Sequence, residues 1–290
     1  GVHQYNLTTN VSKLLISLPS TAAPDYIQAA NKISEDASGD IWFSLDESLV
    51  KYSYDTQAIT TEFSLPTEKL NADVVRAHIV LPDFLIIGTS YGLISVNRAT
   101  KEQTEILFLT KEDRNVENQN VKTLAIDQFD NFWIGTVEGL YRMSLRELIH
   151  SLNHKTLTAI ADQAIKDRNI WAISAEETGL LHIMTDLGYY QLDPVNKEVQ
   201  HVFLPTDSRY AISNDILKSI VIDNNNNLWI GSGNDGAIYW MQYATEFKNV
   251  FNLFGGRGDK IFTDNNVWSL HQQDEETLWI GTKNGLNKYN

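Results

Sequence analysis

Short apolar stretches recur along the whole chain, with apolar and polar positions alternating inside them and polar or glycine-bearing turns between them. Alternation of this kind, in segments rich in β-branched and aromatic residues, predicts strands rather than helices. One phrase organises the pattern. Leu278-Trp279-Ile280-Gly281-Thr282 returns as Leu228-Trp229-Ile230-Gly231-Ser232 and as Phe132-Trp133-Ile134-Gly135-Thr136. Weaker copies centre on Trp42, Ile86 and His182, so six markers stand 44 to 50 residues apart. Each marker is followed by a glycine or serine and a short apolar run, as in Gly92-Leu93-Ile94 and Gly139-Leu140-Tyr141. About thirteen residues before each later marker lies another apolar segment headed by Asn or Asp, such as Asn120-Val121, Asn169-Ile170 and Asn266-Val267.

Each unit therefore reads as strand, polar turn, strand, glycine turn, strand and usually a fourth strand; Ala58–Leu65, Gln103–Leu109 and Glu198–Leu204 are the fourth strands. Four antiparallel strands in about 45 residues make one propeller blade. A lone blade cannot bury both faces, so stacking around an axis is required, and the marker tryptophans are expected to fill the layers between blades. The predicted fold is an all-β propeller of four-stranded antiparallel blades, with six blades favoured and seven the alternative. Residues 1–290 read as one domain. The two ends are alike: Val11–Leu18 is expected to supply the strand that closes the last blade, although the array could also have been cut from a longer run of repeats. Insertions are predicted at 144–166 and 255–265. In the first, Ser144-Leu145-Arg146-Glu147 has capping-box spacing and predicts a short helix.

The formal net charge of −14 disfavours nucleic acid and anionic lipid as partners, and no apolar run approaches the roughly 20 residues that span a bilayer. With no cysteine, disulfides, thiolate chemistry and Cys-ligated zinc are excluded. Gly1–Tyr5 shows neither an initiator Met nor a leader pattern, which suggests a processed or excised chain.

Catalytic and metal signatures are weak. The seven histidines lack metalloprotease spacing, and no metal or other cofactor is expected. Gly88-Thr89-Ser90-Tyr91-Gly92 spells a nucleophile elbow but falls in a turn between two strands, whereas that motif needs a strand entering a helix. Asp36-x-Ser38-x-Asp40 and Asp223-x-Asn225-x-Asn227 mimic the start of a calcium loop. Ile41 and Leu228 stand where such a loop needs its sixth-position glycine, so polar turns are the better reading.

The repeat resembles that of the two-component-regulator propeller family: an Asn-x-Val head, an acidic turn, Leu-Trp-Ile-Gly-Thr, then Gly-Leu and an aromatic. The match is best around Trp133, Trp229 and Trp279, while Ile86 and His182 mark degenerate copies. The resemblance implies the periplasmic or other extracytoplasmic sensor region of a bacterial membrane signalling protein. Its output would be a histidine kinase, often hybrid, or a diguanylate cyclase outside this chain. It also implies carbohydrate as the ligand class.

In a propeller the first strands line the channel, and the loops leading into them converge at its mouth. The side chains expected there are Arg114, Asn120, Arg168, Asn169, Trp171, Arg209, Tyr210, Asn214, Asn266 and Trp268. Amides, guanidinium groups and aromatic faces suit sugar hydroxyls and C–H surfaces, and arginines suit carboxylate or sulfate. The expectation is a non-enzymatic sensor that binds an oligosaccharide. The alternatives are docking to a neighbouring receptor domain or to a second copy, and a propeller lyase or hydrolase using His78 or His271.

Overall fold

The computed structural model describes residues 2–6, 11–16, 30–45, 47–53, 55–65, 74–110, 120–154, 158–176, 178–202, 217–222, 227–232, 237–240, 247–249, 266–274, 277–282 and 285–289. A hairpin of β1 (Val2–Asn6) and β2 (Val11–Ile16) precedes six blades. Blade one is β3 (Ala30–Glu35), β4 (Ile41–Leu45), β5 (Ser48–Tyr52) and β6 (Ile59–Ser64). Blade two is β7 (Ala77–Val80), β8 (Phe84–Thr89), β9 (Gly92–Asn97) and β10 (Gln103–Thr110). Blade three is β11 (Val121–Ile126), β12 (Asn131–Thr136), β13 (Gly139–Ser144) and β14 (Thr158–Lys166). Blade four is β15 (Ile170–Ala175), β16 (Leu181–Thr185), β17 (Gly188–Asp193) and β18 (Glu198–Val202). Blade five is β19 (Leu217–Ile222), β20 (Leu228–Ser232), β21 (Ala237–Trp240) and β22 (Phe247–Asn249). Blade six has β23 (Val267–Asp274), β24 (Thr277–Thr282) and β25 (Gly285–Tyr289).

Within each blade the strands pair antiparallel in chain order. The first strands touch in the order β3, β7, β11, β15, β19, β23, and β23 returns to β3. That closes a six-membered ring. β10 and β14 also pair in parallel, which joins the outer edges of blades two and three.

β2 pairs with β1, and among the described residues the last blade has three strands. The physical reason is local. β1 lies only a short loop away, so its pairing carries the smallest loop-closure cost. The helix predicted in the first insertion is α1 (Leu145–Asn153), but Ser144 makes no side-chain capping bond. Ser144 is the last residue of β13, paired with Asn131, and the Leu145 amide donates to the Asp130 carbonyl at 2.8 Å. The rest of that insertion is β14, the fourth strand of blade three.

The marker phrase can be read residue by residue. Its Trp enters the layer between blades: Trp42 packs with Val75, Leu85 and Ile87 of blade two, and Trp133 with Ile170, Leu181 and Ile183 of blade four. Its Gly leaves room for the neighbouring first strand. A Cβ on Gly135 would lie 2.5 Å from Thr123 Cγ2 and 2.7 Å from Ile170 Cγ2. Gly135→Ala should therefore push blades three and four apart and cost about 1–3 kcal/mol, as overpacked cores do. A lowered urea midpoint at unchanged slope is the expected readout, and an unchanged midpoint would show that the interface yields freely. Its Thr builds the following turn. Thr136 Oγ1 accepts from the Glu138 and Gly139 amides and donates to the Gly139 carbonyl; Thr185 Oγ1 accepts from the Leu187 amide and donates to the carbonyl of Gly188, where φ is +108°.

The acidic turns hold the indoles. Asp36 accepts from the Ser38 and Asp40 amides at 2.9 and 3.1 Å and from Trp42 Nε1 at 2.9 Å. Asp127 accepts from the Phe129 and Asn131 amides at 2.9 Å each and from Trp133 Nε1 at 2.8 Å. Blade four keeps the clamp with different chemistry. Glu176 replaces the Asp and His182 the Trp, with Nε2 3.2 Å from Glu176 Oε1 and Nδ1 2.6 Å from the Tyr189 hydroxyl. The His182 hydrogen bond holds the Glu176 carboxyl below its usual range, and burial pushes the Tyr189 hydroxyl up. Asp223, the other acidic turn noted in the sequence, lies outside the described residues.

Candidate functional site

Five of the six first strands carry a bulge at the same phase. In β11 the register skips from Val121 to Thr123, in β15 from Ile170 to Ala172, in β19 from Leu217 to Ser219, in β23 from Val267 to Ser269, and in β3 from Ala30 to Lys32. In blade two the matching residue is Arg76, just ahead of β7, whose amide donates to the Gly88 carbonyl at 3.0 Å. A bulge leaves one residue out of the ladder and re-aims its side chain. The ring thus sets Arg76, Lys122, Trp171, Lys218 and Trp268 at one level.

Two of these pairs meet between blades. Lys122 Nζ stands 5.0 Å from the centre of the Trp171 ring, and Lys218 Nζ 4.1 Å from that of Trp268, both within cation–π range. Lys218 also donates to Asn266 Oδ1 at 3.1 Å. Arg76 donates through Nε and Nη2 to Ser90 Oγ at 3.3 and 3.2 Å. Burial, and then the nearby Arg76 charge, lower Lys122 to about 8. The indole N–H groups of Trp171 and Trp268 are buried with no acceptor among the described residues.

The turns between second and third strands lie beside this belt, because the Asn120 and Asn169 carbonyls accept from the Val137 and Asp186 amides, both at 3.2 Å. Tyr91, 60% exposed, stands on such a turn next to Ser90. The turn joins β8 to β9, so the stretch spelling a nucleophile elbow is a strand-to-strand turn and Ser90 is a partner of Arg76.

Of the residues expected at the mouth, Asn120, Asn169, Trp171, Asn266 and Trp268 come together at or just ahead of the bulges. Arg168 instead donates back to the Asp167 carbonyl at 2.6 Å. Arg114, Arg209, Tyr210 and Asn214, with the 255–265 insertion, lie outside the described residues. The sequence reading did not single out Arg76, Lys122, Lys218 or Tyr91. The available signal was repeat phase: Val75-Arg76, Val121-Lys122, Ile170-Trp171, Leu217-Lys218 and Val267-Trp268 each follow an apolar residue at the same point of the unit.

The histidines raised for catalysis lie on different first strands. His78 on β7 is buried between Ser34 Oγ and Ser44 Oγ at 2.7 and 2.6 Å, and burial, then the Lys32 charge, push it down to about 3. It is a neutral interior group. His271 on β23 is also lowered by burial, with Glu35 opposing the shift and Lys32 adding to it.

This architecture, a closed ring of six blades with its first strands around the axis, defines a β-propeller domain. The sequence profile described as "Two component regulator propeller" matches residues 211–234. No curated protein matches the sequence. Among solved structures it is similar to the extracellular domain of BT4673 from B. thetaiotaomicron, described as a one component system, at 16% identity and a TM-score of 0.64 over 90% of this chain and 38% of that one. It is likewise similar to the extracellular domain of the BT3049 hybrid two component system from the same organism, at 17% identity and a TM-score of 0.61 over 97% of this chain and 36% of that one. The chain thus spans little more than a third of those domains. Among the described residues no helix is long and apolar enough to cross a membrane.

One expectation is corrected by these likenesses. The sequence reading took this region as non-enzymatic, yet virginiamycin B lyase from Staphylococcus aureus, in a catalytically inactive form with quinupristin, has the same fold. It aligns at 10% identity and a TM-score of 0.65 over 99% of this chain and 86% of that one. Streptogramin B lyase aligns equally well, at 12% identity over 99% and 85%. The fold is one that carries catalysis, so it gives no ground for excluding an activity here.

Proposed function

We propose that this propeller is the ligand-receiving part of the extracytoplasmic region of a bacterial membrane signalling receptor and that it takes a saccharide at the channel mouth. The observation that carries the reading is the belt, where two tryptophans and three cations occupy one level of the ring and Tyr91 stands exposed on a turn beside it. Indole and phenol faces stack on the C–H surfaces of sugar rings, and N–H donors meet sugar oxygens. Signalling would follow from differential binding: a ligand that favours one arrangement of the receptor shifts its equilibrium towards output.

A thermal-shift screen of the purified chain against neutral and acidic oligosaccharides tests this. A bound glycan should raise the melting temperature saturably, since a ligand at a hundred times its Kd adds about 2.7 kcal/mol of stability. Trp171→Ala should abolish the rise. No rise across the panel would overturn the saccharide reading and favour docking of a neighbouring domain or a second copy.

A second reading, catalysis further along the first strands, is favoured by His271 on β23, an imidazole whose pKa burial lowers, with Glu35 in electrostatic reach. It requires product formation from the bound glycan, lost in His271→Ala while the thermal shift persists.

A further inference from the structure

We infer that the belt receives an anionic group, so that the ligand is a carboxylated or sulfated saccharide rather than a neutral one. This rests on the saccharide reading and names the class within it. The first ground is the balance of chemistry at the level of the bulges. Arg76, Lys122 and Lys218 bring three cationic side chains, and the indoles of Trp171 and Trp268 add two N–H groups without acceptors among the described residues. Against these stand the buried side-chain oxygens of Asn120 and Asn169. A neutral sugar hydroxyl offers a donor with every acceptor, whereas carboxylate and sulfate ester groups offer acceptors alone.

The second ground is the placing of charge. The chain carries a net −14, yet three cations, Arg76, Lys122 and Lys218, stand at this level of the ring. Among the described residues no carboxylate pairs with Lys122, whose ammonium faces the Trp171 ring. Acids stand on the surrounding turns instead. Asp186 spends an oxygen on the Asn169 amide at 3.2 Å, and Glu138 belongs to the Thr136 turn. Holding Lys122 near Arg76 in partial burial disfavours its charged form, and the low Lys122 pKa is the signature of that cost. An anion seated between the two would relieve it.

The experiment is isothermal titration of the purified chain with four probes at matched length where applicable: a neutral hexasaccharide, a hexauronate, a sulfated hexasaccharide and inorganic sulfate. The expected result is binding of the hexauronate or the sulfated oligomer at least about tenfold tighter than the neutral one, with affinity falling as salt is raised. Comparing the two acidic arms tells carboxylate from sulfate, and sulfate alone reports whether the charge suffices without the sugar. Lys122→Gln should weaken the acidic glycan about tenfold more than the neutral one and leave the melting temperature of the free protein unchanged or higher. A fall in that melting temperature together with equal loss for all glycans would overturn the inference and make Lys122 a structural residue. Neutral and acidic glycans binding alike would overturn the anion inference while the saccharide reading stands. Binding of none would end both.

Discussion

Asp127→Ala should destabilise the propeller by about 3 kcal/mol, the largest effect expected of any single turn residue. The carboxylate is buried, and four donors converge on it: two turn amides, the Asn131 side-chain amide at 2.8 Å and Trp133 Nε1 at 2.8 Å. Deleting it leaves the indole N–H without an acceptor in a layer where Trp133 is 1% exposed. Each buried donor left unmatched costs about 1–3 kcal/mol, and only the more exposed turn amides recover water. Asp127→Asn keeps one acceptor oxygen and should recover about half of the loss. Urea unfolding followed by tryptophan fluorescence measures both. If Asp127→Ala unfolds within about 0.5 kcal/mol of the parent, the range of an ordinary surface change, the clamp is not what holds the indole.

The second large effect is acid sensitivity through His78. In the folded chain both ring nitrogens are engaged by serine hydroxyls, and the group stays neutral down to about pH 3. The unfolded chain protonates the same imidazole near 6.5. Below 6.5 the unfolded state therefore binds a proton that the folded state refuses. The contribution is fully present above pH 6.5 and is lost as the pH falls towards 3, at about 1.4 kcal/mol per pH unit. His271, lowered in the same direction, steepens the loss. Carboxylates with lowered pKa such as Glu176 act through the carboxylate range, so the interval between pH 6.5 and 4.5 isolates the histidines. Stability measured across it should fall steeply in the parent chain and less steeply in His78→Gln. Parallel curves would mean that His78 titrates as an exposed histidine does.

The two effects also show which parts of the molecule the sequence made legible. The repeat exposed the blades, the fourth strands and the burial of Trp42 and Trp133, because strand alternation and turn chemistry act over a few residues. The clamp was half visible: the acidic turns were recognised as turns, but the six-residue reach from Asp36 to Trp42 and from Asp127 to Trp133 emerges only when the hairpin folds the carboxylate under the ring. His182 read as a degenerate marker, whereas with Glu176 it is a substituted clamp.

By itself, then, the sequence determined the architecture: six copies of a unit that cannot bury its own faces leave stacking as the only way to build a core. It also placed asparagines and tryptophans at the heads of the first strands. Only the tertiary structure decided the chemistry of the mouth. A bulge is a backbone feature with no residue signature of its own, and it turns the residue after each apolar head towards a common level. Lys122 meets Trp171, and Lys218 meets Trp268, across blade boundaries nearly fifty residues apart in the chain. Ring closure converts a shared phase in the repeat into a belt of cations and indoles, because side chains at equal phase become neighbours only when the blades stand around one axis.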